Sequence, residues 1–268
     1  MARISRSQHP MAYAVTELLG GVEALNYFTH LQQDLGFVYF AVPAVANIRT
    51  IGSLNLATAR AEGVEHEYRQ MKQVYNRQAA IVPNPNMTGY SIFNEMLEDP
   101  EVIRMAFLRD PAERFAVIYR SMFSTNTLRS MPRQKVFDHL GVPITENLTM
   151  LDLAELVHEE PELKALSPQL RSQRQMLAFD LVDYSFIGRH ERWDEDFSRI
   201  SYDIFGREVE KFDPQLLFKV DPEGVGMKIE LDDETRAAIE LAYAEDYEML
   251  EEVEELFPAG YAAGYETA

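Results

Sequence analysis

Residues 105–119 read Met-Ala-Phe-Leu-Arg-Asp-Pro-Ala-Glu-Arg-Phe-Ala-Val-Ile-Tyr, and this stretch is the most informative part of the sequence. Its apolar run stops at Arg109, and Pro111 opens a segment whose apolar residues recur at helical spacing. The pattern predicts a buried strand, a tight turn and a helix, with Arg109 and Arg114 at the turn. Such a turn offers free backbone N–H groups and a positive helix end to an anion. Arginine adds a planar fork that suits phosphate.

The composition limits the classes of protein that the chain can belong to. Its net charge of −19 repels nucleic acid and anionic lipid, so we expect neither as a partner. The absence of cysteine excludes disulfides, thiolate catalysis and cysteine-bound metals. No stretch is apolar for long enough to cross a bilayer, and no signal core follows the basic N-terminus. We therefore expect a soluble cytoplasmic protein.

Strands and helices alternate along the predicted chain, which favours an α/β fold with a central parallel β-sheet flanked by helices. We expect one domain over residues 1–257 and a mobile tail, rich in Gly, Ala and Tyr, over 258–268. The predicted strands are 36–43, one within 101–108, and 179–186. The predicted helices are 12–35, 51–80, 91–97, 112–122, 131–140, 149–157, 194–205 and 232–257. The predicted helix boundaries include N-caps at Thr149 or Asp152 and at Asp232 or Asp233, and a stop at Gly206.

The 105–119 stretch resembles the 3′-phosphate-binding motif of carbohydrate-type sulfotransferases, Arg-Asp-Pro-x-x-Arg-x-x-Ser-x-Tyr. Residues 37–51 stand where that family has its 5′-phosphosulfate loop, and 183–197 look like its Phe-Ile-Gly-Arg-x-Glu segment. Residues 166–173 and 241–250 resemble the stretch before that segment and the closing helix of the family. The motif matches are Arg109, Asp110, Pro111, Arg114 and Tyr119.

The resemblance implies a P-loop-like sulfotransferase fold that binds 3′-phosphoadenosine-5′-phosphosulfate (PAPS). It implies transfer of a sulfuryl group to a hydroxyl or amine of a small-molecule or glycan acceptor. Arg109 is then expected at the 3′-phosphate and Arg189 near the nucleotide edge. The expected 5′-side residues are Val45, Ala46, Asn47, Ile48, Arg49 and Thr50.

The departures from the family pattern fall on cofactor positions. Ala44 stands where the family has a lysine that neutralises the leaving group, and Val117 stands where it has a serine. Arg49 is the predicted catalytic substitute for the lysine, and Glu65 and His66 are the predicted candidates for the general base. For each of these residues the alternative is an ordinary ion pair or a surface position. The same departures favour a second reading, a non-catalytic binding protein or an enzyme that uses another anionic donor.

The acceptor leaves no motif in the sequence. Loop 82–90 and segment 124–130 are predicted to line its site, and the amphipathic terminal helices are compatible with a homodimer. We expect no metal site, because no His-x-x-x-His pair or calcium-loop spacing occurs. The signatures of dinucleotide-binding proteins, Walker-type NTPases and α/β-hydrolases do not occur either.

Overall fold

The computed structural model describes residues 4–70, 73–74, 76, 80–123, 131–141, 148–218 and 230–262. Within this part of the chain a four-stranded sheet has the order β1-β2-β3-β4. The first two strands form an antiparallel hairpin, and the other two neighbouring pairs are parallel. The predicted α/β class is confirmed as a mostly parallel sheet with flanking helices. The strands are β1 Thr29–Gln32, β2 Phe37–Phe40, β3 Ile103–Leu108 and β4 Phe186–Arg189.

The register brings three strand ends to one edge of the sheet. Phe40 pairs with Ala106, and Leu108 pairs with Arg189. Every residue of β2 and β3 is buried, as expected for strands covered on both faces. The carboxyl ends of β2, β3 and β4 therefore lie side by side.

The helices of the described residues surround this sheet and a second apolar cluster. The second cluster joins α6, α8 and α13 around Phe115, Leu153 and Ile239. The helices are α1 Pro10–Leu18, α2 Val22–Phe28, α3 Asn47–Ala61, α4 Pro85–Thr88, α5 Tyr90–Glu98, α6 Pro111–Phe123, α7 Met131–Leu140, α8 Met150–Glu159, α9 Leu163–Leu166, α10 Gln173–Met176, α11 Trp193–Phe205, α12 Pro214–Phe218, α13 Asp233–Ala242 and α14 Ala244–Leu256. In this part of the chain, no helix has both the length and the apolar character needed to cross a membrane.

Several predicted helix boundaries are confirmed. Thr149 caps α8 in a capping box with Asp152, and Asp232 caps α13 by accepting a hydrogen bond from the Thr235 amide. Gly206 ends α11 in the left-handed conformation at φ +65°. These features depend on neighbouring residues alone, which is why sequence reading finds them.

The predicted helices 12–35 and 51–80 are wrong in extent. Gly20 and Gly21, at φ +82° and +114°, end the first helix, and the following residues form α2 and then β1. Pairing with β2 stabilises β1 as a strand, and this contact is not readable from four residues of sequence. The second helix begins at Asn47 and ends at Ala61, two residues before Gly63 at φ +70°.

The predicted strand 179–186 and the single helix 232–257 are also wrong. The chain turns over 178–182, where the Val182 amide donates to the Ala178 carbonyl at 3.0 Å, and the strand begins only at Phe186. The long helix breaks at Tyr243, whose hydroxyl donates to the Leu170 carbonyl at 2.8 Å. Residues 263–268 of the predicted tail lie outside the described residues. Before them, Tyr261 bridges to Phe186, and the Ala262 amide donates to the Ser185 carbonyl at 3.0 Å.

We expect Gly188→Ala to destabilise the fold by about 1–3 kcal/mol, because it overpacks the sheet. A Cβ at Gly188 would lie 2.5 Å from Phe107 Cε1 and 3.0 Å from Phe186 Cε1. Leu241→Ala is the control, since the side chain is 62% exposed and such surface changes stay within about 0.5 kcal/mol. Urea unfolding of both variants measures the difference, and equal midpoints would contradict the packing argument.

Candidate functional site

The carboxyl ends of β2, β3 and β4 carry the candidate site. Ligands of open α/β sheets bind outside this edge. Three segments follow the strand ends here: the β2–α3 loop of residues 41–46, the turn at Arg109, and the turn of residues 190–192. The loop and the Arg109 turn contain predicted site residues, and the predicted Arg189 is the last residue of β4. The structure therefore brings Arg109, Arg189 and the predicted 5′-phosphate segment to one edge.

Two left-handed alanines shape the β2–α3 loop. Ala44 has φ +64° and Ala46 has φ +49°, while Val45 between them does not have a positive φ. A left-handed non-glycine residue costs about 1–2 kcal/mol, and such residues concentrate at functional sites. Alternation of left- and right-handed residues turns successive N–H groups toward one concavity, which is the geometry of an anion-binding nest.

The start of α3 extends this concavity. Ala46 occupies the N-cap position, and its side chain forms no capping hydrogen bond. Among the described residues, the Asn47 and Arg49 amides have no hydrogen-bond acceptor. Ala44, Asn47 and Arg49 are half-buried, whereas Val45, Ala46, Ile48 and Thr50 are buried. The groups that an anion could contact here are therefore backbone N–H groups rather than side chains.

Arg109 joins the end of β3 to this loop. Its guanidinium donates to the Ala44 carbonyl at 3.3 Å and lies 3.5 Å from the Glu113 carboxylate, and the residue is only 2% exposed. Its backbone exchanges two hydrogen bonds with the Gln173 side chain, at 3.0 and 2.8 Å. Arg109 lies beside the loop as the sequence predicted, but it is buried against protein groups.

Arg114 holds the same loop from behind. Its Nε donates to the Pro43 carbonyl and its Nη2 donates to the Gln169 carbonyl, both at 3.1 Å. Its Nη1 lies 4.0 Å from Asp246 Oδ2 in α14, and both side chains are buried. Burial lowers the pKa of Arg114 and raises the pKa of Asp246, because it disfavours both charged forms. Asp246 also accepts a hydrogen bond from the Arg174 amide at 3.0 Å.

Arg49 and Thr50 contact α11. The Arg49 guanidinium lies 3.9 Å from the centre of the Trp193 ring and 3.2 Å from Asp194 Oδ1. Asp194 in turn lies 3.5 Å from Lys211 Nζ. The buried Thr50 hydroxyl accepts a hydrogen bond from Trp193 Nε1 at 2.9 Å. The predicted catalytic arginine is thus at the loop, with its charge already compensated by a carboxylate.

Arg189 lines a cleft of about 430 Å³ next to this edge. Its guanidinium lies 3.5 Å from Glu191, and Glu191 accepts a hydrogen bond from the Asp110 amide at 3.0 Å. The Glu191 carboxylate therefore connects the end of β4 to the turn after β3. The other side chains that line the cleft are Ile187, Arg192, Val253, Glu254, Phe257 and Pro258.

Glu65 and His66 lie away from this edge. They follow the carboxyl end of α3, and a helix of 15 residues places its two ends about 20 Å apart. The His66 ring packs on Tyr68 with centroids 4.7 Å apart, and burial lowers the pKa of His66. The structure does not bring these two candidate bases to the loop.

His30 lies near the loop and was missed by sequence reading. It belongs to β1 and lines a cavity of about 30 Å³ together with Asn47 and Ala41. Tyr39 stacks on His30 and donates a hydrogen bond to Asn47 Oδ1 at 3.3 Å. Sequence analysis could have placed His30 near the loop only by predicting strand β1. It predicted a helix over residues 12–35 instead. Val82, Asn84 and Met87 of the predicted acceptor loop also line this cavity, whereas segment 124–130 lies outside the described residues.

In comparisons with known proteins, no protein-family model matches this chain, and neither does any curated protein or solved structure. Among the described residues, no cluster of three or more His, Asp or Glu side chains has the geometry to hold a metal ion. The chemistry of the site is therefore argued from its own geometry.

We expect Asp246→Ala to destabilise the protein by about 1–3 kcal/mol, because it leaves the Arg174 amide without its hydrogen-bond acceptor. Asp246→Asn is the matched control, since its amide oxygen still accepts from the Arg174 amide. Urea unfolding at pH 7 gives both values. Loss of less than 1 kcal/mol in the alanine variant would contradict a structural role for this pair.

The same carboxyl gives a pH dependence with a definite sign. Because burial raises the pKa of Asp246, the native state holds this proton to higher pH than the unfolded chain does. The stability contributed by this group is present below the unfolded pKa near 3.8 and is lost as the pH rises through the folded pKa. We expect Asp246→Asn to gain stability relative to the wild type over that rise, as measured by urea unfolding at stepped pH.

Proposed function

We propose that the chain binds a phosphate-bearing nucleotide at the β2–α3 loop, and that this nucleotide is PAPS, held in a P-loop-like sulfotransferase fold. The observation that carries the proposal is the pair of left-handed alanines, Ala44 and Ala46, at the start of α3. Backbone N–H groups and the positive end of a long helix attract phosphate without help from a side chain.

The neighbouring strand ends supply room for the rest of a nucleotide. The cleft beside Arg189, at about 430 Å³, falls within the range of small-ligand pockets. In this proposal the 5′-phosphosulfate lies on the loop, and the 3′-phosphate lies toward Arg109. Arg109 contacts that phosphate by exchanging its hydrogen bond to the Ala44 carbonyl for a charge-assisted one.

The proposed reaction transfers a sulfuryl group in line from the donor to a hydroxyl or amine. The S–O bond to the 5′-phosphate breaks while a bond from sulfur to the acceptor atom forms, and negative charge develops on the leaving phosphate. Loop N–H groups and Arg49 stabilise that charge. His30, on the β1 side of the loop, is the base that we propose for the acceptor proton, since Glu65 and His66 lie at the opposite end of α3.

The first test is calorimetry with adenosine 3′,5′-bisphosphate and two variants of the loop. Ala44→Asn and Ala44→Asp both tolerate the left-handed conformation, but only the aspartate adds a negative charge to the concavity. We expect the wild type and Ala44→Asn to bind. We expect Ala44→Asp to bind at least about tenfold more weakly, which is 1.4 kcal/mol. No detectable heat from the wild type at millimolar nucleotide, or equal affinities of the two variants, would reject the nucleotide site.

A second candidate function is nucleotide binding without catalysis, or with another anionic donor. It is favoured by the contacts of Arg49, whose charge is compensated by Asp194, and by Ala44 at the position where the resembled family has lysine. Under this candidate, wild-type protein binds the nucleotide but transfers no label from radioactive PAPS. Turnover of labelled donor at an ordinary rate would reject it.

Asp194 competes with a bound phosphate for Arg49 under either candidate. We expect Asp194→Asn to raise the affinity for adenosine 3′,5′-bisphosphate by about three- to tenfold, because removal of a nearby carboxylate favours anion binding. Glu195→Gln is the matched control, since it removes one exposed charge from the same helix turn without touching Arg49. Calorimetry on both variants is the measurement, and an equal effect in the two would show only a general charge effect.

A further inference from the structure

We infer a second anion-binding site, separate from the nucleotide loop, in the cleft between α2 and residues 165–171. The ligand is a small hydroxyl-bearing molecule that carries a carboxylate, sulfate or phosphate group, and Arg171 and Lys135 are its cations. The cleft has a volume of about 560 Å³, which accommodates a monosaccharide-sized ligand. Its walls include Tyr27, Phe28 and Glu23 from α2 and Ser167 and Gln169 from the facing segment.

Arg171 is a buried cation without a carboxylate. The residue is 8% exposed, and among the described residues no acidic side chain lies within 4.0 Å of it. Its Nη1 donates to the Leu19 carbonyl, its Nη2 donates to the Ala165 carbonyl at 3.5 Å, and its Nε has no hydrogen-bond partner in this part of the chain. In a chain with 44 acidic and 25 basic residues, a buried arginine with no acidic partner is unexpected.

The two carbonyls do not neutralise Arg171. Leu19 and Ala165 lie at the ends of α1 and α9, and a helix end carries only about half an elementary charge. Burial lowers the pKa of Arg171, because desolvation disfavours the charged guanidinium. An anion in the cleft supplies the missing charge.

The absence of a side chain at Gly20 leaves space for the Arg171 guanidinium. A Cβ on Gly20 would lie 2.6 Å from Arg171 Cζ, and Gly20 itself has φ +82°. A larger residue at position 20 would displace the arginine as well as strain the backbone. Glycine at position 20 therefore allows the Arg171 guanidinium to occupy its position beside the cleft.

Lys135 adds a second cation to the lining of the cleft. Its Nζ donates to the Leu166 carbonyl at 3.0 Å, and no acidic side chain among the described residues lies within 4.0 Å of it. Glu23 is the one carboxylate that lines the cleft among the described residues, and it forms no ion pair with Arg171 or Lys135. Tyr27, which is 42% exposed, offers an apolar face for the body of the ligand.

The cleft is connected to the loop edge. The Gln169 carbonyl accepts from Arg114, whose Nε holds the Pro43 carbonyl, and Phe28 lines both this cleft and the cavity beside Asn47. A ligand here lies close to the proposed nucleotide. Its role as the sulfuryl acceptor rests on the proposed function, whereas its binding does not.

The test is calorimetry of the full chain with glucose 6-sulfate, gluconate and glucose. We expect the sulfate and the carboxylate to bind and neutral glucose to bind at least about fivefold more weakly, because only charged ligands compensate the two cations. Lys135→Glu is expected to weaken glucose 6-sulfate binding by about tenfold or more. Arg207→Gln, an exposed charge elsewhere, is the control and is expected to change nothing.

The remaining outcomes separate the two sites. Ala44→Asp is expected to weaken glucose 6-sulfate binding much less than Lys135→Glu does, and an equal or larger loss would overturn the cleft as the binding site. Equal affinity for glucose and glucose 6-sulfate, or unchanged affinity in Lys135→Glu, would also overturn it. Binding of glucose 6-sulfate that depends on Lys135, in protein that does not bind adenosine 3′,5′-bisphosphate, would support the cleft and reject the proposed nucleotide site.

Discussion

The buried guanidinium of Arg114 holds together the three segments that surround the β2–α3 loop. One guanidinium bonds the loop carbonyl of Pro43 and the carbonyl of Gln169, and it faces Asp246 of α14. A buried ion pair adds little net stability, but a buried charge that loses its partner is strongly unfavourable. The loop, the segment before α10 and the last long helix are therefore held in one arrangement. That arrangement fixes the carbonyl immediately before Ala44, where the backbone enters its left-handed conformation.

The arginine side chains near the loop are bonded to protein groups, whereas backbone amides of the loop face the proposed anion site. Arg109, Arg114 and Arg49 are all close to the loop, and all three contact protein carbonyls or carboxylates. The anion binding that we propose for the loop therefore relies first on its amides and on the end of α3. A net charge of −19 repels anionic ligands at long range, so binding depends on such local positive sites. The cleft at Arg171 is the second place where we propose that an anionic ligand binds.

Sequence reading found the features that depend on near neighbours and missed those set by distant contacts. The β3–α6 turn, the Thr149 capping box and the Gly206 helix end were all predicted from adjacent residues. The β1 strand was missed, because four residues gain strand character only by pairing with β2. The adjacency of Arg109 and the β2–α3 loop followed from the rule that parallel strands end at one edge. The engagement of Arg49 by Asp194, 145 residues away, had no local signal.

The α/β class, the strand–turn–helix at Arg109 and the absence of thiol chemistry could all be predicted before folding was considered, because periodicity, capping and composition act over a few residues. The ion-pair partners of the cations became visible only in the folded protein. Arg109, Arg114 and Arg49 acquired protein partners when distant elements packed together, whereas Arg171 and Lys135 acquired no carboxylate among the described residues. Electrostatic pairing is set by distances in space, and these distances exist only once the chain is folded.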